Sequence, residues 1–439
     1  MFKGSNYKPF HVVNATFVGV KLLQFILVWF APSTFDTSTH LFLERFGVTT
    51  DPWWSKLLAW DSVFFVKTSE WIRTTGNWTP QYEHEWAFSP YWAQIITSSD
   101  VQHTVLRAVV LNIFLHYVST WILYFLTKVT FPPFGQKAQT EVALITSVLF
   151  ILSSAAGFLI SIYSEPTAFT LSLFGMLLRQ LSVKFDVYGN IQLNHIKWIG
   201  YVLSSFCFSM AFLNRSNCLL LGIFYIYDCL NLWKQKMWIT SIFYPIFSGA
   251  VLFATFVYSY YYVPYGVFCP ERGEWCTSKI LDLPLTYQSL YSYIQSKHWN
   301  VGFLKYWTLN NIPNFLFGLP NILIIWNSVD YFSYQYTLQN MKPYIWIARS
   351  LLLIIVFFAN VQIINRVSSF LPLPLWFIAD ILHKKYTDTR VVKYYLIWLL
   401  IWIPVQTALF ACFLPLAYIA WYKAVKSINK GPRTITSRI

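Results

Sequence analysis

Long apolar runs alternate with short polar breaks along the chain, and the runs set its architecture. Runs of roughly 20 residues with few charges are long enough to cross a bilayer as helices. The first extends from about Val12 to Pro32, and a second from about Val105 to Thr127. Glu141 to Leu181 is too long for one span and is broken by YSEPTAF at Tyr163–Phe169. Pro166 cannot continue a hydrogen-bonded helix there, and Glu165 needs water or a buried partner. The pattern predicts two helices meeting at that break. Two more spans flank NRSN at Asn214–Asn217. Further spans are predicted over Ile239–Val263, up to about Trp326, and over Tyr344–Val361. Leu373–Leu382 reads either as a span or as a re-entrant piece, and Tyr394–Leu414 as a last span. The expectation is an all-α polytopic membrane protein with ten or eleven transmembrane helices, one multi-span domain over residues 1–439. Two large loops, 32–104 and 264–308, fall on one face.

Composition supports a chain solvated largely by lipid. Hydrophobic residues make up 56% and charged residues 11%, with a mean hydropathy of +0.46. A soluble domain carries about 25% charged residues. Aromatic residues, at 20%, read mainly as lipid-facing and interfacial packing. DPWW at residues 51–54 reads as an element lying in the interface. The net charge of +14 does not imply nucleic acid, because basic residues such as Lys234, Lys236, Lys384 and Lys385 sit at helix ends. That is the positive-inside pattern, reinforced by anionic headgroups. MFKGSNYKPF enters the first run without a small-residue cleavage site, so a retained signal anchor with a cytosolic N-terminus at Lys3 and Lys8 is expected.

This threading puts every unusual polar cluster on the face of the two long loops. The clusters are Asp61, His84 and Glu85; Glu165; Arg215 and Asn217; and Gln362 with Arg366. Ionisable groups at membrane depth are costly and usually functional. Each has a bland alternative: an interfacial anchor for Arg215, a helix cap for Glu165, a loop histidine for His84. The shared face is the stronger signal. The richest stretch is Trp60 to Trp92, WDSVFFVKTSEWIRTTGNWTPQYEHEWAFSPYW. A carboxylate can deprotonate an attacking hydroxyl, arginines can hold a phosphate, and aromatics can line a sugar or lipid groove. Together they suit glycosyl transfer from a lipid phosphate sugar. HExxH, paired CxxC, Asp-x-Asp, Walker and G-x-S-x-G signatures are absent from the sequence, so neither a metal nor a nucleotide cofactor is expected.

Four of the six cysteines, Cys207, Cys218, Cys229 and Cys412, read as inert small hydrophobes. Cys269 and Cys276 share the second loop in FCPERGEWC, and in an oxidising lumen that spacing favours a disulfide. Of three sequons, at Asn14, Asn77 and Asn214, only Asn77 lies in a loop clear of the bilayer, a weak glycan candidate.

WDSVFF, YEHEWAFSPYW, YSEP, NRSN, the Cys269–Cys276 loop, NVGFLKYWTLNNIPNFLFGLP and QIINRVSSFLP, in that order, resemble the GPI mannosyltransferase II family, the phosphatidylinositol-glycan class V family, in its fungal branch. The resemblance covers about Trp60 to Pro415. Departures are Glu274 where the family tends to have proline, Cys218 where glycine is common, and a basic tail past Pro415. The resemblance implies a C-type glycosyltransferase fold in the endoplasmic-reticulum membrane. It implies transfer of the second mannose, in α1,6 linkage, from dolichol-phosphate-mannose to the one-mannose GPI precursor on the luminal side. It also implies a small membrane partner subunit.

In that fold the early luminal acidic motif holds the base, which points to Asp61, with Trp60 beside it to shape a dry pocket. Going from a β-linked donor to an α-linked product inverts the anomeric carbon and needs one base. Arg366, with Arg215 as second choice, is expected on the dolichol phosphate. Glu85 and Glu165 are rivals for the base, with roles in acceptor binding and in holding loops more in keeping with their positions. His84, Asn217 and Gln362 complete the expected substrate-binding set. A transporter would place paired charges near mid-bilayer and often show repeat symmetry, and the sequence has neither. A scaffold subunit would tolerate alanine at Asp61 and Glu85 together.

Overall fold

The computed structural model describes residues 9–412, except 33, 35–37, 49–51, 132–135, 187–188, 194–197, 270–273, 278–287 and 385–389. Lys3, Lys8, Asp51, Lys385, part of the second long loop and the basic tail therefore lie outside the described residues.

Apolar helices form the bundle. Among the described residues six are long and apolar enough to cross a membrane: Pro9–Phe30, Val101–Thr130, Trp238–Phe268, Leu309–Gln335, Gln339–Phe357 and Arg390–Ala411. A pair bent by 76°, Val361–Phe370 with Leu373–Lys384, makes a seventh if counted as one span. The ten or eleven expected from sequence also include Gln136–Ile151, Glu165–Ser182, Trp198–Asn214 and Ile223–Lys234. These are shorter or more polar than the six, and Gln136–Ile151 and Glu165–Ser182 are largely covered by protein. A helix inside a bundle needs neither full bilayer length nor an apolar face all round.

Glu165–Ser182 packs along Trp198–Asn214, and a glycine lets the backbones approach. A Cβ on Gly175 would come within 2.5 Å of the Phe208 ring. Small residues serve this purpose in membrane helices. The same two helices and Ile223–Lys234 enclose Arg179 and Asp228, both buried. Arg179 Nε donates to Asp228 Oδ2 at 2.9 Å, and the Tyr201 hydroxyl donates to the same oxygen at 2.9 Å. The pair is fully desolvated, so removing either partner would strand the other charge.

Two features depart from the expected pattern. The polar segment after Ser182 forms an antiparallel hairpin, Val183–Phe185 with Ile191–Leu193, pairing Lys184 with Gln192. The first long loop is also largely helical, with Ser62–Thr75 and Pro90–Ile96 joined through a 3-10 turn at Glu83–Ala87. Those helices and the turn pack into the bundle beside Val101–Thr130 and close one end of it.

Candidate active site

The site begins with an irregular segment at the break foreseen around Tyr163. Residues 152–164, between helices Gln136–Ile151 and Glu165–Ser182, carry only one short 3-10 turn, Ala156–Ile160. Non-helical backbone inside a membrane bundle must find partners elsewhere. Side chains from four other elements supply them. Asn112 Nδ2 donates to the carbonyls of Ser161 at 2.6 Å and Tyr163 at 2.8 Å. Trp92 Nε1 donates to Ile162 O at 2.9 Å, and Trp402 Nε1 to Ser154 O at 2.9 Å. Gln406 Oε1 accepts from Gly157 N at 2.7 Å, and Lys21 Nζ donates to Leu159 O at 3.5 Å.

The segment delivers Phe158, Tyr163 and Glu165 to one end of the bundle. The Tyr163 hydroxyl accepts the Asp61 backbone N–H at 3.0 Å and reaches Ala59 O at 3.4 Å. This ties down the turn before helix Ser62–Thr75, where Trp60 sits at φ 60°. A non-glycine residue there is strained and persists only when its surroundings fix it.

Asp61, Glu165, Arg215 and Arg366, distant in sequence, form one ion cluster. Arg366 Nη2 meets Asp61 Oδ2 at 2.9 Å, and its Nε lies 3.6 Å from Glu165 Oε1. Arg215 Nη2 donates to Glu165 Oε2 at 2.5 Å. The Arg366 guanidinium lies 5.1 Å from the Phe158 ring centre and 5.3 Å from that of Tyr163. Arg215 lies over Phe65 and Tyr163 at 5.8 and 5.9 Å. Guanidinium groups stack on aromatic faces in this way while keeping their edge donors available. Arg215 Nε is buried with no hydrogen-bond partner among the described residues. Asn217 Nδ2 donates to Val367 O at 3.3 Å, which ties the NRSN stretch to the Arg366 helix.

The four groups are unequal in exposure. The Glu165 side chain is 3% exposed and clamped by both arginines, whereas that of Asp61 is 30% exposed. Asp61 borders a cavity of about 1340 Å³, together with Trp60, Phe158, Tyr163, Arg215 and Arg366. Asn217 and Gln362 also line it. From this charged end the wall becomes apolar along Leu220, Ile223, Leu230, Phe253 and Ile355, reaching Trp233. Asn217 to Trp233, mostly helical at about 1.5 Å per residue, spans about 25 Å, most of the roughly 30 Å thickness of a bilayer core. The arrangement is a charged head site with an apolar groove leading from it.

Three expected substrate residues lie off this wall: Glu165, held by the two arginines, and Glu85 and His84. Glu85, 1% exposed, accepts the Tyr82 backbone N–H at 3.2 Å and pairs with Lys67 at 2.5 Å. It holds its own turn together. His84 rests against Phe64, Tyr82 and His298, with ring centres 5.7–5.9 Å apart. Burial holds its imidazole below the ordinary histidine range, with nearby Lys67 and His298 adding to the shift and Glu85 opposing it. Glu83 accepts from Trp275 Nε1 at 3.2 Å, which docks the second long loop on the first. Cys269 and Cys276 are joined by a disulfide on either side of Trp275. Asn77 is exposed, its Oδ1 accepting from Thr79 N at 3.1 Å, while Asn14 Oδ1 accepts from Tyr117 within a span and Asn214 is buried.

Asn112 and Phe158 escaped the sequence reading. Asn112 leaves only a lone polar letter in a 30-residue apolar helix, and Phe158 is one aromatic among many. Among the described residues no group of three His, Cys, Asp or Glu side chains could hold a metal ion.

Comparison with known proteins bears on this geometry. The GPI mannosyltransferase 2 of Kluyveromyces lactis is 72% identical over 415 residues, covering 94% of this chain and all of that protein. The GPI mannosyltransferase 2 of Saccharomyces cerevisiae is 44% identical over 427 residues, covering 91% of this chain and 98% of that one. An oligosaccharyltransferase of Archaeoglobus fulgidus, known from a crystal structure, aligns with a TM-score of 0.46 at 12% identity, over 96% of this chain and 57% of that one. Residues 12–417 match the family described as mannosyltransferase (PIG-V), so the ion cluster, the cavity and both docked loops all fall within the match, and the chain belongs to that family.

Proposed function

We propose that the protein transfers the second mannose, in α1,6 linkage, from dolichol-phosphate-mannose to the one-mannose GPI-anchor precursor. The reaction takes place on the luminal side of the endoplasmic-reticulum membrane, in a C-type glycosyltransferase fold. The observation that carries this reading is that Asp61 is the one carboxylate lining the cavity among the described residues, beside two arginines and an apolar groove. The names of the fungal relatives supply the GPI acceptor.

The chemistry follows from the cluster. The dolichol chain lies in the groove and its phosphate meets Arg366 and Arg215, whose guanidinium groups suit phosphate oxygens. Arg366 pairs with Asp61. Phosphate oxygens compete for that guanidinium and free the Asp61 carboxylate. Asp61 then accepts the proton of the acceptor's hydroxyl as its oxygen attacks the anomeric carbon. The new C–O bond forms, the bond to phosphate breaks with inversion, and dolichyl phosphate leaves with its charge on the arginines. Glu165 keeps both arginines in place, and Trp60 closes the dry side. The two guanidiniums supply the charge stabilisation, so no cofactor is required. Microsomes washed with EDTA should retain wild-type turnover, and a chelation-sensitive rate restored by a divalent cation would contradict that point.

Lipid-facing helices, two luminal loops and a small membrane partner subunit complete the proposal. Microsomes supplied with labelled dolichol-phosphate-mannose and a one-mannose GPI acceptor test it. A two-mannose product, sensitive to an α1,6-mannosidase, is expected. Its absence with folded protein and its partner present would remove the reading.

A further inference from the structure

The cavity has a second polar wall that the ion cluster does not use. Asn314, near the start of helix Leu309–Gln335, is 5% exposed. Its Nδ2 donates to the Tyr306 hydroxyl at 2.7 Å and to Asn311 Oδ1 at 3.3 Å. An amide oxygen only accepts, so the Asn311 contact identifies the nitrogen end of the Asn314 amide. The other end, Oδ1, is buried without a partner among the described residues. Asn360 Oδ1 and Gln362 Oε1 are in the same state, and all three residues line the cavity.

The chain is built to bring them together. Gly302 N donates to Phe358 O at 3.2 Å, Leu304 N to Phe357 O at 2.7 Å, and Trp307 Nε1 to Val356 O at 2.8 Å. These bonds fasten the stretch before Asn314 to the helix end before Asn360. Gly318 lets the Asn314 helix lie against Val361, since a Cβ there would be 3.0 Å from Val361 O and 3.1 Å from its Cγ1.

Buried acceptors without donors are costly, and three on one cavity wall mark a place that a ligand fills. The ligand must supply a donor to Asn314 Oδ1, and the amides of Asn360 and Gln362 can accept from or donate to it. A phosphate diester offers acceptors alone, so it fits the arginines and not Asn314 Oδ1. Sugar hydroxyls fit this wall. The cavity, at about 1340 Å³, exceeds the roughly 300–1,000 Å³ of a single small-ligand site. A second ligand therefore has room beside the donor. Gln362 precedes Arg366 by one helical turn, so the amide wall adjoins the phosphate-binding end, whereas the apolar groove leaves along helix Ile223–Lys234.

We propose that Asn314, Asn360 and Gln362 form the acceptor subsite, binding hydroxyls of the glycolipid's sugar head next to the reacting centre. This rests on the transferase reading above.

The full chain in nanodiscs, with its partner subunit where required, tests it through Asn314→Leu and Asn360→Leu. Initial rates are measured against a synthetic one-mannose GPI acceptor at saturating dolichol-phosphate-mannose, and in the reverse arrangement. Each variant should raise the acceptor KM about 5-fold, as for one lost neutral hydrogen bond, and leave the donor KM unchanged. Equilibrium binding of the acceptor without donor should weaken by the same factor. Wild-type acceptor KM in both variants, or a rise confined to the donor KM, would overturn the assignment. If the wild type binds the acceptor and forms no product, the transferase reading fails while the subsite stands. Asn360→Ser and Gln362→Ala, at less buried positions, carry the same expectation should the leucine variants not fold.

Discussion

Arg366 stands between Asp61 and Glu165, and its position there couples two roles that the sequence presents separately. With one carboxylate a cavity group and the other buried, a guanidinium edge can turn from Asp61 to a phosphate without leaving Glu165. An ammonium cannot hold both partners in one plane. Arg366→Lys should therefore raise the donor KM or lower kcat by about 10-fold or more, on the scale of one lost charged hydrogen bond. Unchanged kinetics in that variant would remove Arg366 from the phosphate. His84 gives the opposite expectation. It lies off the cavity wall, so His84→Phe should keep turnover within about 3-fold, as expected for a residue that does not touch substrate. Its lowered pKa means that the fold favours the neutral ring. The associated stability is fully present above the unfolded value of about 6.5 and is lost as pH falls through the folded one. The drop in melting temperature between pH 7 and pH 5 should thus be smaller in His84→Phe than in wild type. Asp61, Arg215 and Arg366 were legible because charge is rare in an apolar chain. That Glu85 would be absorbed by Lys67 and its own turn was not, since the same letters serve a cap or a substrate.

The break before Glu165 illustrates what is readable at the scale of elements. Pro166 and Glu165 mark the interruption in the sequence. The partners that make its exposed backbone tolerable, Asn112, Trp92, Trp402 and Gln406, come from distant helices and leave no local trace. The same reason hides how far protein covers the shorter helices. Hydropathy reports what a segment could face, and only packing decides whether lipid or protein covers it. The 183–193 hairpin was hidden because two three-residue strands are too short to show a period. The second loop is better specified. Its disulfide brackets Trp275, which reaches Glu83 in the first loop. Replacing Cys269 and Cys276 by serine should cost about 2–3 kcal/mol by the loop-closure estimate, seen as a lower melting temperature in detergent. Mass spectrometry without reduction should find the linked peptides, and free thiols at both positions would refute the pairing.

Across the whole molecule, helices that begin and end far apart in sequence bring their polar ends to one end of the bundle. The common face inferred from threading is the reason the cluster could be anticipated at all. What the threading lacks is distance: it favours Asp61 but leaves Glu85 and Glu165 as rivals, and burial separates them. Glu165 is clamped between arginines, Glu85 lies beneath its own turn, and Asp61 alone of the three borders the cavity. The reading of this protein as an inverting transferase therefore depends on Asp61 as the base. The direct measurement is turnover by Asp61→Asn, which keeps the side chain's shape and removes its basicity. Single-turnover mannose transfer should fall by about 10²-fold or more, the usual weight of a general base, with expression and dolichol-phosphate-mannose binding intact. Near-normal transfer by that variant would contradict the assignment.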